Sequence, residues 1–300
     1  MSEIKLIGKY IGGRCWDVLT EKRMADSRAL ENFGYKVYSQ NDEDGILHEI
    51  FRRIGTTTKE FIEFGVQNGL ESNCHFLLHQ GWKGLWIDGN KSYYHEIRFR
   101  FRPVIAKKLL RVVNAFITKD NIEELLEENA FSLSPDLLSI DIDGNDWYIW
   151  DSIQKCNPRV VCIEYNGKFP PDIEWKQAYN PDHIWNESDW QGASLRTITQ
   201  LGNQKGYRLV CTNLNGVNAF FVRNDLINDS FFDLQTPEEL YNPLRLELAF
   251  AAPGHHAEFC LAEQEGFASE SDYFPSEEAH QKYLRLSHPN LVKRVMRKLK

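Results

Sequence analysis

From residue 60 onward, short apolar runs alternate with polar, periodic stretches. The segments "EFIEFGV", "GLWIDGN", "RVVNAFIT", "DLLSIDIDGND" and "RVVCIEYN" are nearly continuous in apolar character up to their last residues. That is the pattern of strands buried on both faces. Between them the chain reads as helix, over residues 70–80 up to Gly81 and again over the acidic "NIEELLEEN". Alternation of this kind predicts an α/β fold with a parallel sheet covered on both sides. The end of the pattern differs. A helix over "SLRTITQLGNQKG" leads into "YRLVCTN", and "LNG" turns the chain into "NAFFVRND". A parallel crossover needs about a dozen residues or more, whereas a short turn containing Asn-Gly marks a hairpin. The last two strands are therefore expected to be antiparallel.

Ahead of the sheet, residues 15–55 read as helical, most clearly in "SQNDEDGILHEIFRRIG". Ser39 can cap, Asp42, Glu43 and Asp44 favour the positive helix start, and Ile46, Leu47, Ile50 and Phe51 form an apolar stripe that Gly55 ends. The chain thus divides into a helical extension over 1–55, a core over 56–228 with an aromatic insertion at 167–191, and a helix-and-loop extension over 229–300. Residues 230–290 suggest no chemistry.

Composition narrows the class. With 42% hydrophobic and 13% aromatic residues the chain is an ordered globular protein. No apolar run approaches bilayer length, and the opening "MSEIKLIGKYIGG" lacks a secretory apolar stretch. Six cysteines without a CxxC pair suit free thiols in a reducing cytosol. A cytoplasmic protein is expected. The net charge of −8 argues against a nucleic-acid partner. The closing "LVKRVMRKLK" departs from that balance, with five basic residues, no acid and an apolar face at helical spacing. It reads as a helix for the inner membrane face or a partner, or as a solvated helix docked by its apolar side.

The first strand enters the turn "FGVQNGLESN". A dinucleotide turn needs GxGxxG so that backbone can approach a pyrophosphate at a helix N-terminus. Here Gly65 and Gly69 stand four apart, and no Gly-Lys-Ser/Thr follows to make a phosphate loop. Glu63 would repel a pyrophosphate, yet sits well near the ammonium of S-adenosylmethionine. Asp88, ending the next strand, can accept hydrogen bonds from both ribose hydroxyls of either cofactor. The glycine pattern, Glu63 and the terminal hairpin together favour S-adenosylmethionine.

The blocks "YSQNDEDGIL", "FIEFGVQNGLESN", "GLWIDGN", "LLSIDIDGNDWYIW", "VVCIEYN" and "NAFFVR", in this order over residues 38–224, resemble the FkbM-type branch of class I S-adenosylmethionine-dependent methyltransferases. The resemblance implies a Rossmann-like methyltransferase fold, seven-stranded and mostly parallel, with a C-terminal antiparallel hairpin and helices on both faces. By position it places Glu63, Gly65 and Gly69 at the cofactor's amino-acid end, Asp88 at its ribose, and Thr118 and Asn121 near its adenine. Gln67 stands where many methyltransferases carry a middle glycine. Members of the branch often O-methylate sugars or polyketide-derived hydroxyls.

Residues two apart in a strand share a side, so Asp141 and Asp143 can converge, as can Glu164 and Asn166 one strand over. Asp141, Asp143 and Glu164 are the candidate catalytic residues, with Asp141 also bordering the cofactor. Asp143, Glu164 and Asn166 are candidate ligands for a hard cation such as Mg²⁺, which would lower the pKa of an acceptor hydroxyl. Without metal, one carboxylate serves as general base. Turn chemistry in "DGND" is the plainer alternative. His75 and His79, in "HFLLH", lack a third ligand and read as a polar helix face, and His255-His256 is a loop pair.

The insertion "GKFPPDIEWKQAYNPDHIWNESDWQ" follows the fifth strand and should hang over the catalytic edge. Flat faces from Phe169, Trp175, Tyr179, Trp185 and Trp190, mixed with Asp172, Glu174, Asp182, His183 and Asp189, suit a carbohydrate. Asn166, Trp175, His183 and Trp185 are the candidate substrate contacts. A packed cover or a homo-oligomer contact is the alternative. The expected activity is O-methylation of a sugar or glycan hydroxyl in surface-polysaccharide (capsule, lipopolysaccharide or O-antigen) biosynthesis. Two rivals stand beside it. One is an NAD-type oxidoreductase, for which no YxxxK is present in the relevant region, and the other is a non-catalytic scaffold with the same fold.

Overall fold

The computed structural model describes residues 22–185, 188–233 and 236–245. The readings placed on Cys15, Cys260, His255, His256 and the basic segment 291–300 lie outside these residues. Seven strands form one sheet: β1 (Glu60–Phe64), β2 (Lys83–Asp88), β3 (Leu110–Asn114), β4 (Leu137–Ile140), β5 (Val160–Glu164), β6 (Tyr207–Thr212) and β7 (Asn218–Arg223). Their order is β3-β2-β1-β4-β5-β7-β6. β1 to β5 are parallel, and β7 lies between β5 and β6, antiparallel to both. This is the Rossmann-like methyltransferase fold. Its antiparallel end sets it apart from the all-parallel dinucleotide sheet.

The central strands show why an unbroken apolar run was needed. Ile62, Phe64, Leu138, Ile140, Val161 and Ile163 face one core, and Phe61, Leu137, Val160 and Cys162 face the other. Alternate side chains of one strand thus fill opposite layers. The first core is closed by α5 (Ile122–Asn129), α6 (Asp146–Ser152) and α7 (Leu195–Gln204), the second by α1 (Glu43–Ile54), α2 (His75–His79), α3 (Lys91–Arg100) and α4 (Arg102–Ala106). The four described cysteines, Cys74, Cys156, Cys162 and Cys211, are buried free thiols. Among the described residues no helix is long and apolar enough to cross a membrane.

Two expected helices are shorter than the pattern implied. The described residues 22–42 hold only two 3₁₀ turns, Lys22–Ala25 and Leu30–Phe33. The cause is Asp44, whose Oδ2 accepts the backbone N–H groups of Val37 (2.7 Å), Tyr38 (2.7 Å) and Ser39 (2.9 Å). Those donors are thereby held outside a helical ladder. Ser39 still serves the helix start, accepting the Asp44 N–H at 3.2 Å. The second helix, expected over 70–80, covers only α2, because residues 72–74 wrap around Glu63. His75 and His79 stack on Tyr38 at centroid distances of 4.0 and 4.9 Å, and His75 is buried. They flank one aromatic ring, with His75 buried and His79 still exposed to solvent.

The insertion over 167–191 is fastened to the sheet by a helix cap. Ser194, fully buried, caps α7 by accepting the Thr197 N–H and also accepts the Trp175 N–H at 3.1 Å. Ser194→Ala is expected to cost about 1 kcal/mol of unfolding free energy, within roughly 0.5–2, read by urea denaturation. An unchanged midpoint would show that the cap is dispensable.

Candidate active site

The site is built at the carboxyl ends of β1, β2, β4 and β5, beginning with two glycines. Gly65 has φ 68°, and a Cβ there would stand 1.6 Å from the carbonyl oxygen of Asp141. Only glycine lets the ends of β1 and β4 meet so closely. Gly69, at φ 76°, would drive a Cβ to 2.7 Å from the Trp86 ring. Gln67, the residue in place of a middle glycine, is itself left-handed at φ 50° and donates its N–H to Asp88 Oδ2 at 2.8 Å. Asp88 also accepts the Asn90 N–H at 2.7 Å, and burial holds its carboxyl above the usual range. Asp88 therefore ties the loops after β1 and β2 together.

Glu63 holds the loop after β1 in shape. Its Oε2 accepts from Ser72 Oγ (2.8 Å), the Cys74 N–H (3.2 Å) and Trp86 Nε1 (2.9 Å), and its Oε1 from the Asn73 N–H (2.7 Å). It lines a cavity with Gly65, Asp141 and Asn218, but its carboxylate organises the loop after β1. Burial pushes its pKa up to about 6 against the pull of those donors.

Asp141, Asp143 and Glu164 bring carboxylate oxygens within 4.8 Å of one another. Among the described residues, no hydrogen bond reaches the carboxylate of any of the three. Burial, then the charges of Asp143 and Asp146, push Asp141 well up, while burial followed by the charge of Asp141 does the same to Glu164. Asp143 is pushed up to about 6 by burial and by the charges of Asp146 and Asp88. Its backbone is left-handed at φ 56°, unusual away from glycine. Neighbours hold it there. Asp146 accepts the N–H groups of Ile142 and Gly144, both at 2.9 Å, and His183 Nε2 donates to the Asp143 carbonyl at 3.0 Å. A strained residue fixed from both sides is a common mark of a functional position.

Three cavities meet around Gly65 and Gln67. A cleft of about 470 Å³, within the roughly 300–1,000 Å³ range of small-molecule sites, runs past Asp88, Asn90 and Tyr93 to Phe116 and Ile117. A second cavity lies on the Glu63 and Asn218 side. The third is polar and holds the carboxylate trio together with Gln40, Asn41, Gln191 and Asn215. Trp185 borders both the cleft and the polar cavity.

Several expected contacts fall elsewhere. Thr118 and Asn121 do not line the cleft. Asn121 Oδ1 accepts the Thr118 N–H at 2.8 Å in a turn before α5, and Ala115, Phe116 and Ile117 form the wall. Asn166 lines the polar cavity, as expected of a substrate contact, but its amide is already engaged and not free to hold a cation. Its Nδ2 donates to the carbonyls of Asp189 and Gln191, and its Oδ1 accepts the Lys168 N–H. Asp141 takes its place in the oxygen cluster. Trp175 is only 1% exposed, stacked on Phe169 at 4.5 Å and edge-on to Trp190 at 5.7 Å. Those three rings form a small core beneath the insertion. His183 lines the cleft beside Asp143 and not the polar cavity. Trp185 alone of the expected aromatic contacts borders the trio's cavity. Gln191 and Asn215 were missed, since only the folded chain brings them to the trio.

No protein-family model and no curated protein match the chain. Solved structures similar to it include a provisionally assigned caffeoyl-CoA O-methyltransferase from Staphylococcus aureus, at 10% identity and TM-score 0.43, covering 64% of this chain and 87% of that one. A precorrin-6y C5,15-methyltransferase from Geobacter metallireducens GS-15 matches at 14% identity and TM-score 0.38, covering 63% and 92%. The METTL16 methyltransferase domain matches at 13% identity and TM-score 0.38, covering 60% of this chain. The match spans 66% of that domain in one structure and 51% in another. At such scores the likenesses decide nothing alone, and the fold stands on its strand order.

Proposed function

We propose that the protein is an S-adenosylmethionine-dependent O-methyltransferase acting on a sugar hydroxyl of a surface polysaccharide or its precursor. The observation that carries this reading is the trio of unbonded carboxylates, Asp141, Asp143 and Glu164, on a polar cavity sharing Gly65 and Gln67 with the cleft at Asp88. S-adenosylmethionine supplies a methyl group that is already electrophilic. What remains for the protein is to hold a hydroxyl in line with it and to receive the hydroxyl proton. Positioning of this kind is worth on the order of 7–11 kcal/mol. Asp88 offers each ribose hydroxyl a carboxylate oxygen, and Phe116 and Ile117 offer an apolar wall to the base. Asp143 or Glu164 takes the proton.

The same oxygens fit a hard divalent cation such as Mg²⁺, which Asp141, Asp143 and Glu164 would hold and which, bound there, lowers the pKa of a hydroxyl. The polar cavity favours a polyol. Amides from Gln40, Asn41, Gln191 and Asn215 can meet hydroxyls, and Trp185 offers a ring to a sugar's CH face. The basic segment 291–300 would keep the enzyme at an anionic membrane surface near lipid-linked acceptors.

Titration calorimetry with S-adenosylhomocysteine and with NAD tests the reading. Heat is expected with the first and none with the second. Binding of NAD alone would make the protein an oxidoreductase, and binding of neither would leave a scaffold. Methyl transfer to a panel of nucleotide-activated and lipid-linked saccharides identifies the acceptor. Activity surviving exhaustive EDTA would remove the cation, and Mn²⁺ paramagnetic resonance reads its binding directly.

A further inference from the structure

Glu43, the first residue of α1, is fully buried and engaged by four donors. Its Oε2 accepts the Asn41 N–H at 2.8 Å, and its Oε1 accepts the side-chain amides of Asn41 (3.0 Å), Asn213 (2.8 Å) and Asn218 (2.9 Å). An ionised carboxylate only accepts, so Asn218 turns its Nδ2 towards Glu43 and its Oδ1 away. Among the described residues that oxygen has no partner, although Asn218 is 2% exposed. Buried amide oxygens without partners are rare in folded proteins, and each calls for an explanation.

The surroundings supply one. Asn218 opens β7 directly opposite Glu164 of β5. It lines the cavity that contains Gly65, Ser72, Asn73 and the unbonded Asp141. Gly65 separates this cavity from the cleft at Asp88. A cofactor with its adenosine in that cleft would send its amino-acid end across Gly65 towards Asp141 and Asn218. A lone amide oxygen and an unpaired carboxylate on one wall suit a cationic group with several N–H donors. Glu63 has four donors of its own and is less available.

We propose that Asn218 and Asp141 receive the α-ammonium group of the cofactor's methionine moiety, and that Glu43 is the positioning residue that fixes the Asn218 amide. The proposal rests on the S-adenosylmethionine reading above. It joins segments far apart in sequence, since Glu43 precedes the sheet and Asn218 opens its last strand.

Calorimetry on the full chain with two ligands tests it: S-adenosylhomocysteine, and 5′-methylthioadenosine, which keeps the adenosine but lacks the amino acid. Asn218→Leu preserves side-chain shape and removes the acceptor. It is expected to weaken S-adenosylhomocysteine by about 10–100-fold, as for a lost hydrogen bond to a charged group, and to leave methylthioadenosine binding unchanged. Retained methylthioadenosine binding also shows that the fold is intact. Glu43→Gln should produce the same selective loss to a smaller degree. An analogue of S-adenosylhomocysteine without its amino group needs no variant, and should bind the unaltered protein at least about tenfold more weakly. Unchanged S-adenosylhomocysteine binding in Asn218→Leu, or full affinity for the deaminated analogue, would overturn the proposal while leaving the cofactor reading in place. An unaltered protein that binds neither nucleoside overturns both.

Discussion

Asp143→Asn and Glu164→Gln each lower kcat for methyl transfer by about 10²–10⁴-fold, the usual contribution of a placed proton acceptor, with S-adenosylhomocysteine affinity unchanged. Both residues line the polar cavity, and among the described residues no donor engages either side chain. Their removal therefore takes chemistry from the site without orphaning a partner. Asp141→Asn should behave differently. Asp141 borders the polar cavity and the cavity of Asn218, so both kcat and cofactor affinity fall. The double variant Asp143→Asn, Glu164→Gln is expected to be little worse than either single change, since residues acting as a unit are strongly non-additive. A second readout separates function from structure. Three crowded carboxylates that repel one another oppose folding, so each neutral substitution should raise the thermal midpoint of metal-free protein while activity falls. A loss of stability in parallel with activity would instead assign the trio a structural role.

The pattern of polar and apolar positions carried the architecture much further than the site. Strands buried on both faces had to be continuous apolar runs, and the Asn-Gly turn had to reverse the last two, so the sheet could be read directly. The helix Lys91–Arg100 left no such trace, because Ile97 is its only buried residue. It is held by its Asn90 cap and by contacts with β3. Asp88 and Gly65 were legible because strand ends fix where such residues lie, whereas Asp141 and Asp143 stand beyond β4, which ends at Ile140, and meet through a turn with Asp143 at φ 56° instead of through period-two alternation. Asn166, which lines the polar cavity but is not free as a cation ligand, and Trp175, which is buried away from it, show one limit. Their types suit a ligand, but burial against Asp189, Gln191, Phe169 and Trp190 is set by how the insertion folds on itself. Glu43 looked like a helix-start acid with a dipole role. Two of its three asparagine partners, Asn213 and Asn218, lie 170 and 175 residues away in sequence, beyond any local pattern.

Glu63→Ala should cost more stability than any other substitution considered for this site. The change leaves Ser72 Oγ, the N–H groups of Asn73 and Cys74, and Trp86 Nε1 without their acceptor. Unsatisfied buried donors cost about 1–3 kcal/mol each, against a total stability of only about 5–15 kcal/mol. The loop carrying Gly65 and Gly69 should lose its fixed shape, so S-adenosylhomocysteine binding disappears together with a large fall in thermal midpoint. Glu63→Gln is milder. The carboxamide can turn its oxygen to the three donors at Oε2, leaving a single donor–donor clash with the Asn73 N–H, for about 1–3 kcal/mol. The pH dependence follows from the same burial. Glu63 titrates near 6 in the folded chain against an ordinary value of 4.5, so between those values the folded state binds more protons than the unfolded one. Its contribution to stability is greatest below about pH 4.5 and declines as pH rises through 6, by about 2 kcal/mol at 1.36 kcal/mol per pKa unit. Urea denaturation from pH 4.5 to 7.5 should show that decline in the parent protein and a flatter profile in Glu63→Gln. Identical slopes would mean that the ionised carboxylate is no less stable in the fold than in the open chain. The four donors alone would then balance its burial.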